Sequence, residues 1–216
     1  MNVKREQLLL YAVTDRKCMG SRDFYKCIEE ALAGGVTMLQ LREKSMTSEQ
    51  LAEEAYKVGR ICREYGVPLI IDDDYDAALA AGADGVHVGI EDAPVREIRR
   101  IAGKDFIIGA TAKTVEQAKR AQSEGADYLG VGAVFPSPTK TNAIRITTSQ
   151  LREICGSVGI PSVAIGGINA LNLTELAGGG MAGIAAVSAV FGAEDIEAAA
   201  AQLREAASGL TRGEGV

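Results

Sequence analysis

The stretch GADGVHVG at residues 82–89 recurs with little change as GADYLGVG at residues 125–132. In both copies a glycine that suits the end of a helix is followed by a short apolar run with the length of a buried strand. Looser copies of the same phrase are GGV at residues 34–36, before MLQLR, and GGMAG at residues 179–183, before IAAVS. The four copies recur at similar intervals along the chain, and this regularity predicts a periodic architecture.

Four further apolar runs lie before or between these copies, and each also has the length of a buried strand. They are LLLYAVT (8–14), PLIID (68–72), FIIGA (106–110) and SVAIG (162–166). Added to the runs that follow the glycine copies, they predict eight strands.

The segments between the predicted strands have the periodicity of helices. In residues 48–66 the apolar residues Leu51, Ala55 and Val58 fall on one stripe of a helix. Residues that favour the start of a helix precede this segment and two later ones, which places N-caps at Ser48, Thr114 and Asp195.

Strands that alternate with helices pair in parallel. Eight such units in 216 residues predict a single α/β domain with the architecture of a (β/α)8 barrel, also called a TIM barrel. An open doubly wound sheet is the alternative, but it favours GxGxxG after the first strand, and TDRKCMGS at residues 14–21 does not contain that motif. The domain is expected to span residues 1–216, with residues 1–6 and 208–216 as loose termini.

The net charge of −6 argues against a protein that binds nucleic acid or an anionic membrane. No apolar stretch reaches the ~18–20 residues of a membrane span, and residues 1–16 do not resemble a signal peptide. The four cysteines are far apart and form no CxxC motif, which favours reduced thiols and a cytoplasmic protein over two disulfides.

The chain has one histidine and no tryptophan, which disfavours a zinc site of the usual His/Cys kind and a histidine-based nucleophile triad. By the alternation of side chains along a strand, His87 is expected to point into the barrel. A hydrogen-bonded core histidine is the favoured interpretation, and a catalytic base is the alternative.

Functional residues of such a barrel lie at the C-terminal ends of the strands. The second strand runs into QLREK at residues 40–44, where Gln40, Arg42 and Lys44 share one face. Two cations and an amide that converge in the barrel mouth suit the oxygens of a phosphate group. A solvated basic loop, or ion pairs with Glu43, is the alternative.

Acidic residues follow the next two strands, at Asp72, Asp73 and Asp74 and at Glu91 and Asp92. Carboxylates that meet in one mouth repel one another unless a cation lies between them. Mg²⁺ is commonly held by one or two carboxylates together with phosphate oxygens and water. Capping of the following helices is the alternative for Asp74 and Asp92.

The remaining strand ends supply further groups that can bind anions. The fifth strand leads to Thr111, and the sixth leads to the loop PSPTK at residues 136–140. A helix cap is the alternative for Thr111, and a plain surface loop is the alternative for PSPTK. Gly167 follows the seventh strand and Ser188 follows the eighth, where this fold often binds a phosphate. The sequence thus predicts one anion site for a diphosphate beside Arg42 and another for a single phosphate.

These phrases, in this order and each at a strand end, resemble the thiamine phosphate synthase family. The resemblance extends over almost the whole chain, as far as the predicted helix that ends near residue 207. The matching phrases are YAVTD (11–15), QLREK (40–44), the DD of IDDDYDAAL (71–79), ADGVHVGIED (83–92), PSPTK (136–140), AIGGI (164–168) and VSAVF (187–191).

The resemblance implies a transferase of thiamine biosynthesis that requires Mg²⁺ and acts on two small molecules. One is 4-amino-2-methyl-5-hydroxymethylpyrimidine diphosphate and the other is a 4-methyl-5-(2-phosphoethyl)thiazole. The methylene carbon of the pyrimidine is joined to the thiazole nitrogen, and pyrophosphate leaves in a dissociative step. Neither nucleic acid nor a membrane is implied as a partner, and a homo-oligomer is compatible with the sequence.

The resemblance also implies roles for individual residues. Asp73 and Asp92 would hold Mg²⁺, and Arg42, Lys44, Thr111 and Lys140 would be catalytic. The implied contacts to the pyrimidine diphosphate are Gln40, Leu41, Arg42, Glu43, Lys44, Asp72, Thr111 and Lys140. The implied contacts to the thiazole phosphate are Ser137, Pro138, Thr139, Gly167, Val187 and Ser188.

The chain departs from the family pattern with Asp72 in place of the usual asparagine, Ile90 in place of the usual glutamine and Thr111 where serine is common, and the segment TNAIRITTS at residues 141–149 matches poorly. Three alternatives remain. A related thiazole tautomerase typically lacks the paired aspartates and the loop lysine that this chain has. A barrel isomerase or epimerase of sugar phosphates would need an acid–base pair and would leave QLREK and PSPTK without a role. A non-catalytic protein that binds thiazole phosphate is the third.

Overall fold

The computed structural model describes residues 3–137 and 144–211. Eight parallel strands close into a barrel in sequence order, so that β1 pairs with both β2 and β8. The strands are β1 (Leu10–Val13), β2 (Met38–Leu41), β3 (Leu69–Asp72), β4 (Gly85–Val88), β5 (Ile107–Ala112), β6 (Tyr128–Gly132), β7 (Ser162–Ile165) and β8 (Gly183–Ala186). The predicted single (β/α)8 barrel is confirmed, and the doubly wound alternative is wrong.

Helices surround the barrel. They are α1 (Arg16–Met19), α2 (Phe24–Ala33), α3 (Ser48–Glu64), α4 (Tyr75–Ala81), α5 (Val95–Ala102), α6 (Val115–Glu124), α7 (Thr148–Gly156), α8 (Ser188–Phe191) and α9 (Ile196–Thr211). A short 3₁₀ helix at Leu173–Leu176 connects β7 to β8, where the glycine phrase had predicted the end of a longer helix. Within the part of the chain that is described, no helix is both long and apolar enough to span a membrane.

The helix starts follow the capping rules, with two corrections. Thr114 caps α6, and the Asp195 carboxylate accepts from the Ala198 amide at the start of α9. The N-cap of α3 is Thr47 rather than Ser48, because Thr47 and Gln50 form a reciprocal capping box. Asp92 caps no helix, since its carboxylate accepts from the Gly89 amide of its own loop.

The predicted loose termini are partly ordered. Residues Arg5–Leu8 form a 3₁₀ helix, and Val3 and Leu8 are buried against the side chains inside the barrel. Apolar side chains there remove the barrel interior from water at its N-terminal end. At the other terminus, α9 continues to Thr211.

The side chains inside the barrel form a core separate from the layer between strands and helices. The rings of Tyr11 and Tyr128 meet edge to face in this inner core, with centroids 5.8 Å apart. Gly109 on β5 makes room for Tyr128, because a Cβ atom there would lie 2.1 Å from the Cζ atom of that ring. A larger residue at position 109 would displace Tyr128.

Residues of the repeated glycine phrases form hydrogen bonds with the N-terminal ends of neighbouring strands. The Asp84 carboxylate accepts from the Leu69 amide at 2.8 Å, and the Asp127 carboxylate accepts from the Ile108 amide at 2.9 Å. Thr37 does the same for the Leu10 amide. At β2, β4 and β6 the side chain of the residue just before the strand therefore binds the start of the preceding odd-numbered strand.

Replacing Asp127 with alanine is expected to cost about 3 kcal/mol of unfolding free energy. Asp127 is buried and also pairs with the Arg99 guanidinium at 2.6 Å, so its loss leaves this partly buried cation without a carboxylate and the Ile108 amide without its acceptor. Asp84→Ala is the matched control, because Asp84 is exposed, and there we expect a loss of about 1 kcal/mol. Urea unfolding of both variants measures the difference, and equal losses would contradict this explanation.

Candidate active site in the barrel mouth

A cavity of about 170 Å³ opens at the C-terminal ends of the strands and reaches down to the inner core. Side chains from opposite sides of the barrel line this cavity. Many of the predicted site residues line it, namely Gln40, Arg42, Asp72, Thr111, Ser137, Gly167, Val187 and Ser188. Pro138, Thr139 and Lys140 lie outside the described residues.

Two predicted contacts face away from this cavity. The side chain of Leu41 is buried in the layer between strands and helices. Glu43 forms an ion pair with Arg16, whose guanidinium also contacts the buried Glu54 at 2.7 Å. Because side chains alternate along a strand, both residues point outward when Gln40 and Arg42 point inward. Their side chains therefore position the β2 loop rather than line the mouth.

Cations and carboxylates alternate on one side of the mouth. The Lys44 ammonium lies between Asp72, at 2.8 Å, and Asp73, with which it also forms a hydrogen bond. Arg42 Nε is 3.5 Å from the same Asp72 oxygen. Although burial opposes it, the two carboxylates raise the pKa of Lys44, so its ammonium stays protonated. The two cations of QLREK pair with β3 rather than with Glu43.

Asp72, at the position where the family usually has asparagine, is the most buried of these acids. Burial and the neighbouring charge of Asp73 raise the pKa of Asp72, and Lys44 and Arg42 act in the opposite direction. Its Oδ2 atom is buried and close to Lys44, but the geometry of that ion pair does not satisfy hydrogen-bond directions. The extra negative charge is thus neutralised by the two cations that a phosphate group would also use.

Asp73 and Asp92 approach each other from adjacent loops. They share a hydrogen bond, and burial together with this bond raises the pKa of Asp92. Burial acts against Asp73 as well, but bonds to Lys44 and Asp92 hold the pKa of Asp73 below its usual value. Asp73 has a left-handed backbone with φ 63°, so the turn directs its carboxylate toward the other loop.

This pair of carboxylates fits a divalent cation, which would neutralise their charges. Within residues 3–137 and 144–211, no three acidic, histidine or cysteine side chains cluster in a way that could hold a metal by themselves. A magnesium ion bound to Asp73 and Asp92 would therefore complete its coordination with water and with phosphate oxygens of a ligand.

The opposite side of the mouth is built from backbone and small side chains. Gly167 has φ 64°, and a Cβ atom there would lie 2.1 Å from the Pro136 carbonyl oxygen, so this loop packs closely on the one after β6. Asn172 fixes the turn by donating to the Gly167 carbonyl at 2.9 Å. Ser188 is the first residue of α8 and faces the cavity. The surface suits a single phosphate group.

A chain of hydrogen bonds crosses the barrel beneath the mouth. Gln40 Nε2 donates to the Tyr11 hydroxyl at 2.8 Å, and the Tyr11 and Tyr128 hydroxyls are 2.8 Å apart. The Tyr128 hydroxyl is 3.1 Å from His87 Nδ1, and His87 Nε2 is 3.1 Å from the Thr111 hydroxyl. The prediction of an inward, hydrogen-bonded His87 is confirmed.

Sequence reasoning missed four residues of this region. Tyr11, Asp15 and Lys113 line the cavity, and Tyr128 lies in the hydrogen-bonded chain. Strand alternation was a usable signal for two of them, since Tyr11 shares its face with Val13, and Lys113 shares its face with Thr111. Tyr128 carried no such signal, because it opens β6 at the end of the strand opposite the mouth.

The comparisons with known proteins agree with this geometry. Residues 10–190 match the family model described as thiamine monophosphate synthase. The thiamine-phosphate synthase of Clostridium tetani is 45% identical over 203 residues, with 94% of this chain and 97% of the relative covered. That of Ruminiclostridium cellulolyticum is 47% identical, with 91% and 93% covered.

A solved structure shares both fold and sequence. The thiamine phosphate pyrophosphorylase from Pyrococcus furiosus superposes with a TM-score of 0.87 and 41% identity, with 95% of this chain and 98% of that chain covered. A 3-hexulose-6-phosphate synthase, at 16% identity and a TM-score of 0.64, shares the fold alone. The family model and the relatives cover nearly the whole barrel, and this chain therefore belongs to the thiamine monophosphate synthase family.

Proposed function

We propose that the protein forms thiamine phosphate by joining the pyrimidine diphosphate to the thiazole phosphate, with release of pyrophosphate. Membership of the family supports this reaction. The observation that carries the proposal is the charge arrangement at the ends of β2, β3 and β4. There Arg42 and Asp72 line the cavity, Lys44 contacts both Asp72 and Asp73, and Asp73 contacts Asp92.

The two substrates are assigned to opposite sides of the mouth. The pyrimidine diphosphate would contact Gln40, Arg42, Lys44, Asp72 and Thr111, with Lys140 approaching from the loop after β6. The thiazole phosphate would contact Gly167, Val187 and Ser188, together with residues 137–139. The position of the described members of both sets around one cavity supports this division. Holding both substrates in one cavity supplies the proximity that joining two molecules requires.

Asp73 and Asp92 would hold Mg²⁺, which when bound would neutralise charge on the diphosphate and make it a better leaving group. Arg42 and Lys44 act on the same charge from the β2 loop. Their ion pairs with Asp72 and Asp73 hold both cations in place before the substrate enters.

The reaction breaks the bond between the methylene carbon and the diphosphate oxygen, and both electrons leave with the diphosphate. The aminopyrimidine ring shares the positive charge that develops on the methylene carbon. The lone pair of the thiazole nitrogen then forms the new carbon–nitrogen bond. The chemistry needs stabilisation of the leaving anion and no nucleophile from the protein, and Arg42 and Lys44 supply cations for that purpose.

Pyrophosphate release from the two purified substrates, with and without Mg²⁺, tests this function. Release that requires both substrates supports the synthase. A thiazole tautomerase would instead convert the thiazole phosphate alone, and a binding protein would show affinity without pyrophosphate release. Either of these results would overturn the proposal.

We also propose a cytoplasmic location. The four cysteines are free thiols, and Cys27, Cys62 and Cys155 are buried. Burial raises the pKa of Cys62 to about 12, so this thiol stays protonated and unreactive. Free thiols are typical of a reducing compartment.

A further inference from the structure

The hydrogen-bonded chain beneath the mouth begins and ends at residues that line the cavity. Gln40 is at one end on β2 and Thr111 is at the other on β5. The links between them are Tyr11, Tyr128 and His87, of which Tyr11 and His87 also line the cavity. Tyr128 is fully buried and is not one of the described residues that line the cavity. Groups on opposite walls of the site are thus joined through the barrel interior.

The protons of this chain can be counted. Each hydroxyl can donate one hydrogen bond, and a neutral imidazole can donate one. Burial raises the pKa of both Tyr11 and Tyr128, so both hydroxyls keep their protons. When the His87 imidazole is neutral, there is one proton for each link, and all the bonds then run in the same direction, either from Gln40 to Thr111 or from Thr111 to Gln40.

The two directions present different groups to the cavity. When Gln40 donates to Tyr11, as in the structure, its amide oxygen is left as an acceptor and the Thr111 hydroxyl is left as a donor. When the chain runs the other way, the Gln40 amide turns to offer its NH₂ group, and Thr111 offers only lone pairs. The two ends therefore change together.

We propose that this chain of hydrogen bonds makes the site select a pyrimidine that carries an amino group over a pyrimidine that carries an oxo group. The inference rests on the proposed function, which places the pyrimidine diphosphate against Gln40 and Thr111. An amino group donates to the Gln40 oxygen, and a diphosphate oxygen accepts from the Thr111 hydroxyl. Both demands are met by the same direction of the chain.

An oxo group reverses the demand at one end only. It needs the NH₂ group of Gln40, and that requires the whole chain to reverse. The Thr111 oxygen then faces a diphosphate oxygen with no proton between them. The intact chain consequently leaves one unsatisfied polar contact whichever way it runs, and such a contact is costly in a partly buried site. Tyr11, Tyr128 and His87 act here as positioning residues.

Tyr128→Phe tests the inference because it cuts the chain at its centre without changing a residue in the cavity wall. Calorimetry with Mg²⁺ would measure the Kd of the 4-amino pyrimidine diphosphate and of its 4-oxo analogue. We expect the wild-type protein to prefer the amino compound by on the order of 10–100-fold. In the variant the preference is expected to fall by about tenfold, since Gln40 and Tyr11 can then reverse independently of Thr111.

Further variants separate positioning from folding. Tyr25→Phe removes a hydroxyl that contacts only Glu54 among the hydrogen bonds described, so it should keep the wild-type preference. Tyr11→Phe should lower the preference as Tyr128→Phe does, and the double variant should lower it no further. The Kd of the thiazole phosphate should remain unchanged in all of them.

Three results would overturn the inference. The first is a preference for the amino compound that Tyr128→Phe leaves unchanged, and the second is binding of the pyrimidine diphosphate and of the thiazole phosphate that this variant weakens equally. The third is no binding of either pyrimidine to the wild-type protein. Turnover is measured separately. If the wild-type protein binds the amino compound selectively but releases no pyrophosphate, the synthase reaction is disproved, and the role of the hydrogen-bonded chain in selectivity remains supported.

Discussion

Lys44→Ala is expected to lower kcat for pyrophosphate release by on the order of 10²–10³-fold. The Lys44 ammonium lies between Asp72 and Asp73 and stays protonated. Without it, the charge that develops on the leaving diphosphate loses a direct partner. The buried Asp72 carboxylate also loses its closest cation and adds its own negative charge to the site.

Lys119→Ala is the matched control for this prediction. Lys119 is exposed on α6, and its loss should leave kcat unchanged. Lys44→Arg restores the charge and should recover part of the rate, because a guanidinium can meet the same carboxylates with a different geometry. If Lys44→Ala keeps more than about a third of the wild-type kcat, Lys44 does not stabilise the leaving group.

Asp73→Asn is expected to raise the Mg²⁺ concentration needed for half-maximal activity by on the order of 10²-fold. The substitution removes one of the two carboxylates that would hold the ion. Asparagine tolerates the left-handed backbone at this position, so the turn between β3 and α4 should be preserved. Titration of pyrophosphate release with Mg²⁺ after removal of metals by a chelator gives the measurement.

The neighbouring residue supplies a control for charge alone. Asp74→Asn also removes one negative charge, but Asp74 caps α4 by accepting from the Ala77 amide, a role that asparagine fills equally well. Its Mg²⁺ dependence should match that of the wild type. Indistinguishable titrations for Asp73→Asn and the wild type would exclude Asp73 as a metal ligand.

Much of the barrel was predictable because its signals are local. A glycine at the end of a helix and a short apolar run depend on only a few neighbouring residues, and the phrase at residues 82–89 recurs at residues 125–132. Helix starts were predictable to within one residue. Thr47 replaced Ser48 as a cap because the choice depends on which hydroxyl meets Gln50 in a capping box, and spacing alone does not determine that.

The alternation of side chains along a strand predicted the inward direction of Gln40, Arg42 and His87, and the structure confirms it. The same rule directs Leu41 outward, and by continuation Glu43 as well. Leu41 and Glu43 were included in the predicted site because the family resemblance implies that the whole segment at residues 40–44 contacts the substrate. Such a resemblance does not distinguish contacts made by the backbone from contacts made by side chains. A segment of strand contributes only every second side chain to one face.

The hydrogen-bonded chain was not predictable from sequence. Its central pair, Tyr11 and Tyr128, comes from strands on different sides of the barrel. Their meeting depends on the register of the closed sheet and on the space that Gly109 leaves. No spacing within the sequence encodes a contact of that kind, and a tyrosine in an apolar run has the same pattern as any core residue.

The aspartates and threonine that bind the strand starts lie at the end of the barrel away from the mouth. Heat tolerance and chemistry are consequently adjustable one at a time. A lineage that moves to a hotter or colder habitat can exchange Thr37 and Asp84 while it inherits an unaltered reaction centre. The same separation offers protein engineers a region for random mutagenesis that spares turnover.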